Sequence, residues 1–287
     1  MSENPAFDRR LTPARPDLAA TRLRGKIEAA RYVDGETMRV VAEAIAVRSA
    51  PTPEAGYDTQ ALFGEQVTAY DLDDEGWAWV QLESDGYVGY VSANDLAPPG
   101  AAPTQAVRAP RTFVYPAPSI KTAPILALPM LSQVAVVDHA GAFARIDGGG
   151  FVWADHLRPV QEAEDDFVAV AERFEHAPYL WGGKTWAGLD CSGLVQIALR
   201  ATGVAAPRDT DMQARALGRE IDPGVSFSGL QRGDLVFWKG HIGVMCDEHQ
   251  LLHANGSHMQ VTREPLAQAR ARITHAGHGD ITCVRRL

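Results

Sequence analysis

The feature that most constrains the fold is an internal repeat in the first 160 residues. Gly76-Trp-Ala-Trp-Val precedes Asp85-Gly-Tyr-Val-Gly-Tyr-Val-Ser-Ala-Asn-Asp-Leu, and Gly141-Ala-Phe-Ala-Arg-Ile precedes Gly149-Gly-Phe-Val-Trp-Ala-Asp-His-Leu. Short runs of β-branched and aromatic residues between turn clusters predict strands. Roughly five such strands within about 60 residues are typical of a small barrel. The repeat therefore predicts two all-β barrels, at 36–100 and 101–160, joined through Pro98-Pro-Gly-Ala-Ala-Pro.

The segment before the first barrel, residues 1–35, is predicted to be a partly helical extension. One short helix is expected from Asp17 to Ala30, with Asp17 as its N-cap after Pro16. This segment has no apolar core of the kind that a secretory signal carries, and no apolar run in the chain reaches the roughly 18 residues of a membrane span. We therefore expect a cytoplasmic location and no membrane partner.

Composition excludes some classes of function. The chain has 287 residues with 27 basic and 36 acidic side chains, and its net charge of −9 counts against nucleic acid as the main partner. The excess lies in residues 36–105, which carry two basic and twelve acidic side chains. That segment is either a well-solvated surface or an acidic wall that faces a cationic group of a substrate.

The cysteine and histidine spacings predict neither a disulfide framework nor a metal site. The three cysteines form no C-x-x-C pair, and the histidines outside the pair discussed below share no spacing. We expect no metal and no organic cofactor.

From residue 161 the pattern changes to a mixture of helices and strands. Glu162 to His176 places apolar residues at helical spacing, and Asp190 is a good N-cap for a second helix that begins at Cys191 and stops near Gly203. The remainder, from Asp234 onward, is expected to be β-structure. Residues 161–287 therefore predict a separate domain that contains both helices and strands.

Cys191 is the most informative residue of that domain. Unpaired N–H groups and the dipole at a helix start favour a thiolate, lower the pKa of the thiol, and can stabilise an oxyanion. His241 begins one apolar strand and His253 lies in the next, so a hairpin would bring the two rings together on one sheet face. One ring would act as the base and the other would fix its tautomer.

Several motifs in order resemble the NlpC-type family of papain-like cysteine peptidases. They are Tyr179-Leu-Trp-Gly-Gly, Asp190-Cys-Ser-Gly-Leu-Val, Pro207-Arg-Asp-Thr-Asp-Met-Gln, Gly233-Asp-Leu-Val-Phe-Trp, His241-Ile-Gly-Val and His253-Ala. The two barrels, in turn, resemble bacterial SH3-like domains. The resemblance implies an α+β fold, with a papain-like catalytic domain after two SH3-like barrels. It also implies Cys191 as nucleophile, His241 as base and His253 as the residue that orients the base.

The whole layout resembles γ-D-glutamyl-L-diamino-acid endopeptidases, which cut peptidoglycan stem peptides that have a free N-terminal L-alanine. This resemblance implies a substrate of the form L-Ala-γ-D-Glu-diamino acid. It also implies substrate-binding roles for Tyr179, Trp181, Asp190, Ser192 and Thr210, where threonine replaces a more usual serine. An acidic residue of the first barrel is expected to bind the ammonium group, and the candidates are Glu54, Asp58 and Glu65.

Other functions remain open on the sequence alone. The chain could be a non-catalytic module that binds wall fragments, an acyltransferase or amidase acting on other substrates, or a secreted hydrolase of the intact wall. Neither the diamino acid nor the oligomeric state follows from the residues.

Overall fold

The computed structural model describes residues 7–224 and 226–287, and the chain forms two units that divide between Val160 and Gln161. Within the described residues, the first unit is built almost wholly of short strands. These are β1 (Leu18–Ala20), β2 (Arg31–Val33), β3 (Glu36–Val40), β4 (Ala44–Arg48), β5 (Tyr57–Leu62), β6 (Gln66–Leu72), β7 (Trp77–Leu82), β8 (Val88–Ser92), β9 (Leu96–Ala97), β10 (Gln105–Val107), β11 (Arg111–Val114), β12 (Leu126–Pro129), β13 (Gln133–Val134), β14 (Val136–Ala140), β15 (Phe143–Ile146), β16 (Phe151–Trp153) and β17 (Leu157–Pro159).

The first barrel is one antiparallel sheet with the strand order β5-β4-β8-β7-β6-β3-β9. Its core consists of alternating apolar side chains such as Val40, Val67 and Val80, which are buried because successive residues of a strand point to opposite faces. The sequence predicts one strand from Met38 to Val47, whereas the structure has β3 and β4, because the two halves pair with different neighbours.

The helix predicted from Asp17 to Ala30 is wrong. The structure instead has β1 paired in parallel with β2, and a 3-10 helix at Thr21–Leu23. Leu18, Ala20 and Leu23 pack against Tyr70 and Trp79 of the first barrel. All three residues of β1 are buried. A helix on the surface of a barrel would leave part of such a run exposed, so tertiary burial overrides the local helical pattern here.

The two copies of the repeat form the same local structure. β8 and β9 flank a 3-10 helix at Ala93–Asp95, and β16 and β17 flank another at Ala154–His156. The remaining strands of the second copy form three small sheets around a core that includes Val107, Leu128 and Val152. The repeat in the sequence therefore corresponds to a repeat in the structure.

The second unit combines helices with one antiparallel sheet. Its elements are α1 (Phe167–Glu172), β18 (Lys184–Thr185), β19 (Gly188–Leu189), α2 (Cys191–Ala201), α3 (Thr210–Ala216), β20 (Arg219–Ile221), β21 (Leu235–Trp238), β22 (His241–Met245), β23 (Gln250–Asn255), β24 (Gln260–Pro265), α4 (Leu266–His275) and β25 (Cys283–Arg286). The sheet order is β20-β25-β21-β22-β23-β24, and α2 packs against β22 and β23.

The helices of this unit show where local sequence signals were sufficient. α2 begins and ends where Asp190 and Gly203 predict, with Gly203 at φ 77°. α1 is shorter than the predicted span from Glu162 to His176. The sequence pattern does not predict α3 or α4. For α4 the reason is that the helix depends on burial of Leu266, Ala269 and Ile273 against the sheet.

Candidate active site

Cys191 is the first residue of α2 and lies directly behind the helix cap. The Asp190 side chain accepts a hydrogen bond from the Gly193 N–H at 2.7 Å, which satisfies one of the otherwise unpaired donors of the first turn. The cap therefore fixes both the start of the helix and the place of the thiol, as the sequence predicts.

Close packing of glycines holds the preceding loop against this helix start. A Cβ at Gly193 would lie 2.2 Å from the Gly183 carbonyl oxygen, and one at Gly183 would lie 2.4 Å from that of Gly188. Because the opposing atoms are backbone, no side chain fits at these positions. The glycine-rich segment thus brings the loop that carries Tyr179 and Trp181 to the start of α2.

The thiol is largely buried beside the start of β22. Cys191 is 7% exposed, and its sulfur is 3.8 Å from the Thr210 hydroxyl. The backbone N–H of Ile242 also interacts with the sulfur, which places the thiol beside the residue that follows His241.

The thiol environment differs from the sequence expectation of a lowered pKa. Burial, together with the negative charge of Asp190, raises the pKa of Cys191 to about 11, and the Ile242 N–H and the Thr210 hydroxyl do not offset this. The resting thiol is therefore neutral, and it needs a base to remove its proton as it attacks.

The two predicted histidines meet on one face of the sheet. The pairing of Val244 with Leu252 places His241 and His253 on the same side of β22 and β23. His241 Nε2 lies 2.7 Å from His253 Nδ1, so the rings share a hydrogen bond. This is the arrangement that the hairpin hypothesis predicts.

Burial keeps both rings uncharged near neutral pH. It lowers the pKa of His241 to about 3, with a further lowering from the neighbouring His253. Burial also lowers the pKa of His253, although the hydrogen bond to Glu264 acts in the opposite direction. A neutral imidazole can accept the proton of a neutral thiol, which is the role of a general base.

Asp190 and Ser192, predicted to bind substrate, are both engaged with a buried arginine. Arg208 is 1% exposed, and its guanidinium contacts both carboxylate oxygens of Asp190, at 2.9 and 2.6 Å. It also donates to the Ser192 hydroxyl at 2.8 Å. A paired Arg–carboxylate fork is a strong and geometrically specific interaction. Sequence reasoning missed Arg208 although it follows Pro207 in one of the motifs that carry the family resemblance.

Tyr179 and Trp181 differ in their surroundings. Burial, with the nearby Cys191 and Asp190, raises the pKa of Tyr179 to about 12, so the phenol stays protonated and can donate a hydrogen bond. The indole of Trp181 is 70% exposed, so this side chain is available for contact with a ligand. Thr210 begins α3 and directs its hydroxyl to the thiol.

The three candidate carboxylates of the first barrel are in different environments. Glu65 is 3% exposed and accepts a hydrogen bond from the Leu62 N–H, so it holds its own turn. Glu54 is exposed and paired with the Thr52 hydroxyl. Asp58 is partly exposed and lines a cavity together with Tyr87 and Tyr90. Among the three, Asp58 combines accessibility with a concave setting.

Two further observations concern the described ranges only. Residues 7–224 and 226–287 contain no group of three histidine, cysteine or acidic side chains that could hold a metal ion. No helix in those ranges is long and apolar enough to cross a bilayer.

A cysteine at a helix start, with a hydrogen-bonded histidine pair on two neighbouring strands, is the arrangement of papain-like cysteine peptidases. The family comparisons agree with this class. Residues 176–276 match the NlpC/P60 family, and residues 47–96 match the bacterial dipeptidyl-peptidase SH3 domain. The chain therefore carries an NlpC/P60 cysteine peptidase domain preceded by an SH3-like domain.

Among characterised relatives, the chain is similar to two γ-D-glutamyl-L-lysine dipeptidyl-peptidases. The protein from Bacillus cereus is 27% identical over 243 residues, which cover 73% of this chain and 70% of the relative. The protein from Bacillus subtilis is 28% identical, with 70% of each chain covered.

A solved structure supports the fold. An NlpC/P60 family protein from Bacillus cereus superimposes with a TM-score of 0.72 at 20% identity, covering 88% of this chain and 99% of the other. The α+β fold with a papain-like domain after an SH3-like domain, predicted from the sequence, is therefore confirmed. The identity of residues 101–160 as a second SH3-like barrel stays a prediction.

Proposed function

We propose that this peptidase hydrolyses the γ-D-glutamyl–diamino acid bond of free peptidoglycan stem peptides with an unblocked N-terminal L-alanine. The observation that carries the reaction is the 2.7 Å contact between His241 and His253, next to Ile242, whose backbone N–H interacts with the sulfur of Cys191. The names of the two Bacillus relatives support the choice of bond.

The proposed reaction is acyl transfer through a thioester. The Cys191 sulfur attacks the γ-carbonyl carbon of D-glutamate while His241 takes the thiol proton. The N–H groups at the start of α2 and the protonated Tyr179 hydroxyl stabilise the oxyanion. His241 then gives its proton to the amine of the departing diamino acid, and water, activated by the same ring, hydrolyses the thioester.

Mass spectrometry of the products tests the bond that is cut. The purified protein is incubated with L-Ala-γ-D-Glu-L-Lys, the diaminopimelate analogue, and intact sacculi. Release of the dipeptide L-Ala-D-Glu and a free diamino acid from the short peptides supports the proposal. Preferential release of fragments from sacculi would show a hydrolase of the intact wall instead, and an uncut peptide modified at its termini would show an acyltransferase. The better short substrate identifies the diamino acid.

We propose Asp58 as the carboxylate that binds the substrate ammonium, because of the three candidates it is both accessible and in a concave setting. Asp58→Asn is expected to raise KM for the free tripeptide about tenfold or more, in line with the loss of a charge-assisted hydrogen bond. Glu54→Gln is the matched control. A tripeptide acetylated at its alanine, which lacks the N-terminal ammonium group, should lose affinity for the unaltered protein and should not distinguish it from Asp58→Asn.

We propose further that this activity serves the recycling of cell-wall peptides in the cytoplasm. Cell fractionation with an antibody against the protein tests this part of the proposal. Recovery of the protein in the culture medium or the wall fraction would contradict it.

A further inference from the structure

We propose that Glu264 is a positioning residue for the histidine pair. Glu264 lies in β24, the strand next to β23, and its carboxylate oxygen Oε1 is 2.7 Å from His253 Nε2. Thr262 is opposite His253 in the ladder, so Glu264, two residues further on, points to the same face. His241, His253 and Glu264 therefore form one hydrogen-bonded line across three adjacent strands.

The position of Glu264 determines which nitrogen of each ring carries hydrogen. An ionised carboxylate only accepts hydrogen bonds, so His253 must carry its hydrogen on Nε2. The Nδ1 of neutral His253 then has a lone pair, and it accepts from His241 Nε2. His241 is left with its lone pair on Nδ1, the nitrogen that is free to take the thiol proton. Without the carboxylate, the opposite tautomer of His253 would donate to His241 Nε2 and reverse the arrangement.

Arg272 of α4 is the counter-ion of this carboxylate. Burial acts to raise the pKa of Glu264, but the hydrogen bond with His253 and the charge of Arg272 lower it overall. The Arg272 guanidinium contacts Glu264 and also donates to the Ser257 hydroxyl at 2.8 Å. The helix that follows β24 therefore supplies the counter-ion at the end of the line.

The two charges act on the histidines in opposite directions. When Cys191 loses its proton to His241, the pair becomes positively charged, and the negative charge of Glu264 stabilises that state. The positive charge of Arg272 opposes it and lowers the pKa of both rings, as do His258 for His253 and His278 for His241. Glu264 therefore favours protonation of the histidine pair, and the positive charge of Arg272 opposes it.

Paired substitutions test this role. Glu264→Leu is expected to reduce kcat roughly 10- to 100-fold with KM changed less than about twofold, because general-base catalysis and not binding is affected. Glu264→Gln keeps an oxygen acceptor and should retain more activity than Glu264→Leu. Glu220→Gln, on the exposed strand β20, is the matched control and should behave like the unaltered protein.

The pH profile distinguishes positioning from a merely structural role. The limb governed by the histidines is expected to move to lower pH in Glu264→Gln and to higher pH in Arg272→Met. Shifts in the same direction, no shift in either variant, or full activity of Glu264→Leu would overturn the proposal. If Glu264→Leu does not fold, as seen by circular dichroism, the opposite shifts of the other two variants still decide the matter.

A second readout does not depend on the substrate. The role of Glu264 rests on the proposed proton transfer but not on the identity of the substrate. The rate of iodoacetamide alkylation of Cys191 is therefore measured against pH, and mass spectrometry quantifies the alkylated fragment of the protein. The same opposite shifts are expected there. Cleavage of a different bond would contradict the proposed function but leave this result intact, whereas unchanged alkylation profiles would contradict the role of Glu264.

Discussion

The two sides of the active site use the same kind of ion pair in different surroundings. Behind the nucleophile, Asp190 pairs with Arg208, whose side chain is 1% exposed, and the carboxylate also accepts hydrogen bonds from backbone N–H groups. Behind the base, Glu264 pairs with Arg272, whose side chain is 31% exposed, and the carboxylate contacts an imidazole. The first pair fixes backbone geometry, while the second acts on a group that changes its charge during the reaction.

The largest losses of activity are expected for substitution of the nucleophile, Cys191, and a smaller loss for His253, which orients the base. Cys191→Ala should abolish turnover, a loss of at least about 10⁴-fold, because the proposed thioester cannot form without this sulfur. His253→Leu should cost roughly 100-fold, since His253 acts through His241. Product formation is followed by mass spectrometry, with Cys283→Ala as the control for loss of a thiol. Turnover by Cys191→Ala close to that of the unaltered protein would falsify the assignment of the nucleophile.

The two arginines should differ in their effect on stability. Arg208→Met leaves Asp190 as a buried, unpaired charge and is expected to lower the free energy of unfolding by about 3–5 kcal/mol. Arg272→Met removes a partly exposed partner, and about 1 kcal/mol or less is expected. Urea unfolding at pH 7 measures both. Equal losses in the two variants would mean that the two ion pairs are not distinguished by their burial.

The buried His241 should make the free energy of unfolding depend on pH. The pKa of His241 is about 3 in the folded protein and near 6.5 when unfolded, so the unfolded chain binds more protons between these values. Stability is therefore fully present above about pH 6.5 and decreases as the pH falls. Between pH 7 and pH 5, the unaltered protein should lose about 1–2 kcal/mol more than His241→Gln. Parallel urea curves at both pH values check this, and an equal loss in both proteins would contradict it.

The smallest effect concerns the hydroxyl that faces the sulfur. Thr210→Val keeps the size of the side chain but removes the group 3.8 Å from Cys191, and kcat/KM is expected to fall about fivefold, the effect of one hydrogen bond. Thr210→Ser should stay within about twofold of the unaltered protein because it retains the hydroxyl. If the valine and serine variants have the same kcat/KM, the hydroxyl makes no contribution to the reaction.

Local signals predicted the positions of the reactive groups but not their environment. The N-cap Asp190 and the stop signal Gly203 each act on the neighbouring turn of the chain and define the two ends of α2. The short hairpin between β22 and β23 brings His241 to His253. The thiol pKa was predicted in the wrong direction, because the helix start was considered without the burial that the surrounding strands and loops impose.

The sequence by itself determined the strand repeat, the capped helix with its cysteine and the histidine hairpin, because caps, turns and hairpins depend on residues close together in the chain. Only the tertiary structure decided that Arg208 pairs with Asp190 and that Glu264 and Arg272 end the histidine line. It also decided that residues 18–20 form a strand. These outcomes depend on burial and on contacts between different elements of the fold. A buried charge without a partner is costly because it has lost its water, so the fold favours the contact that pairs it.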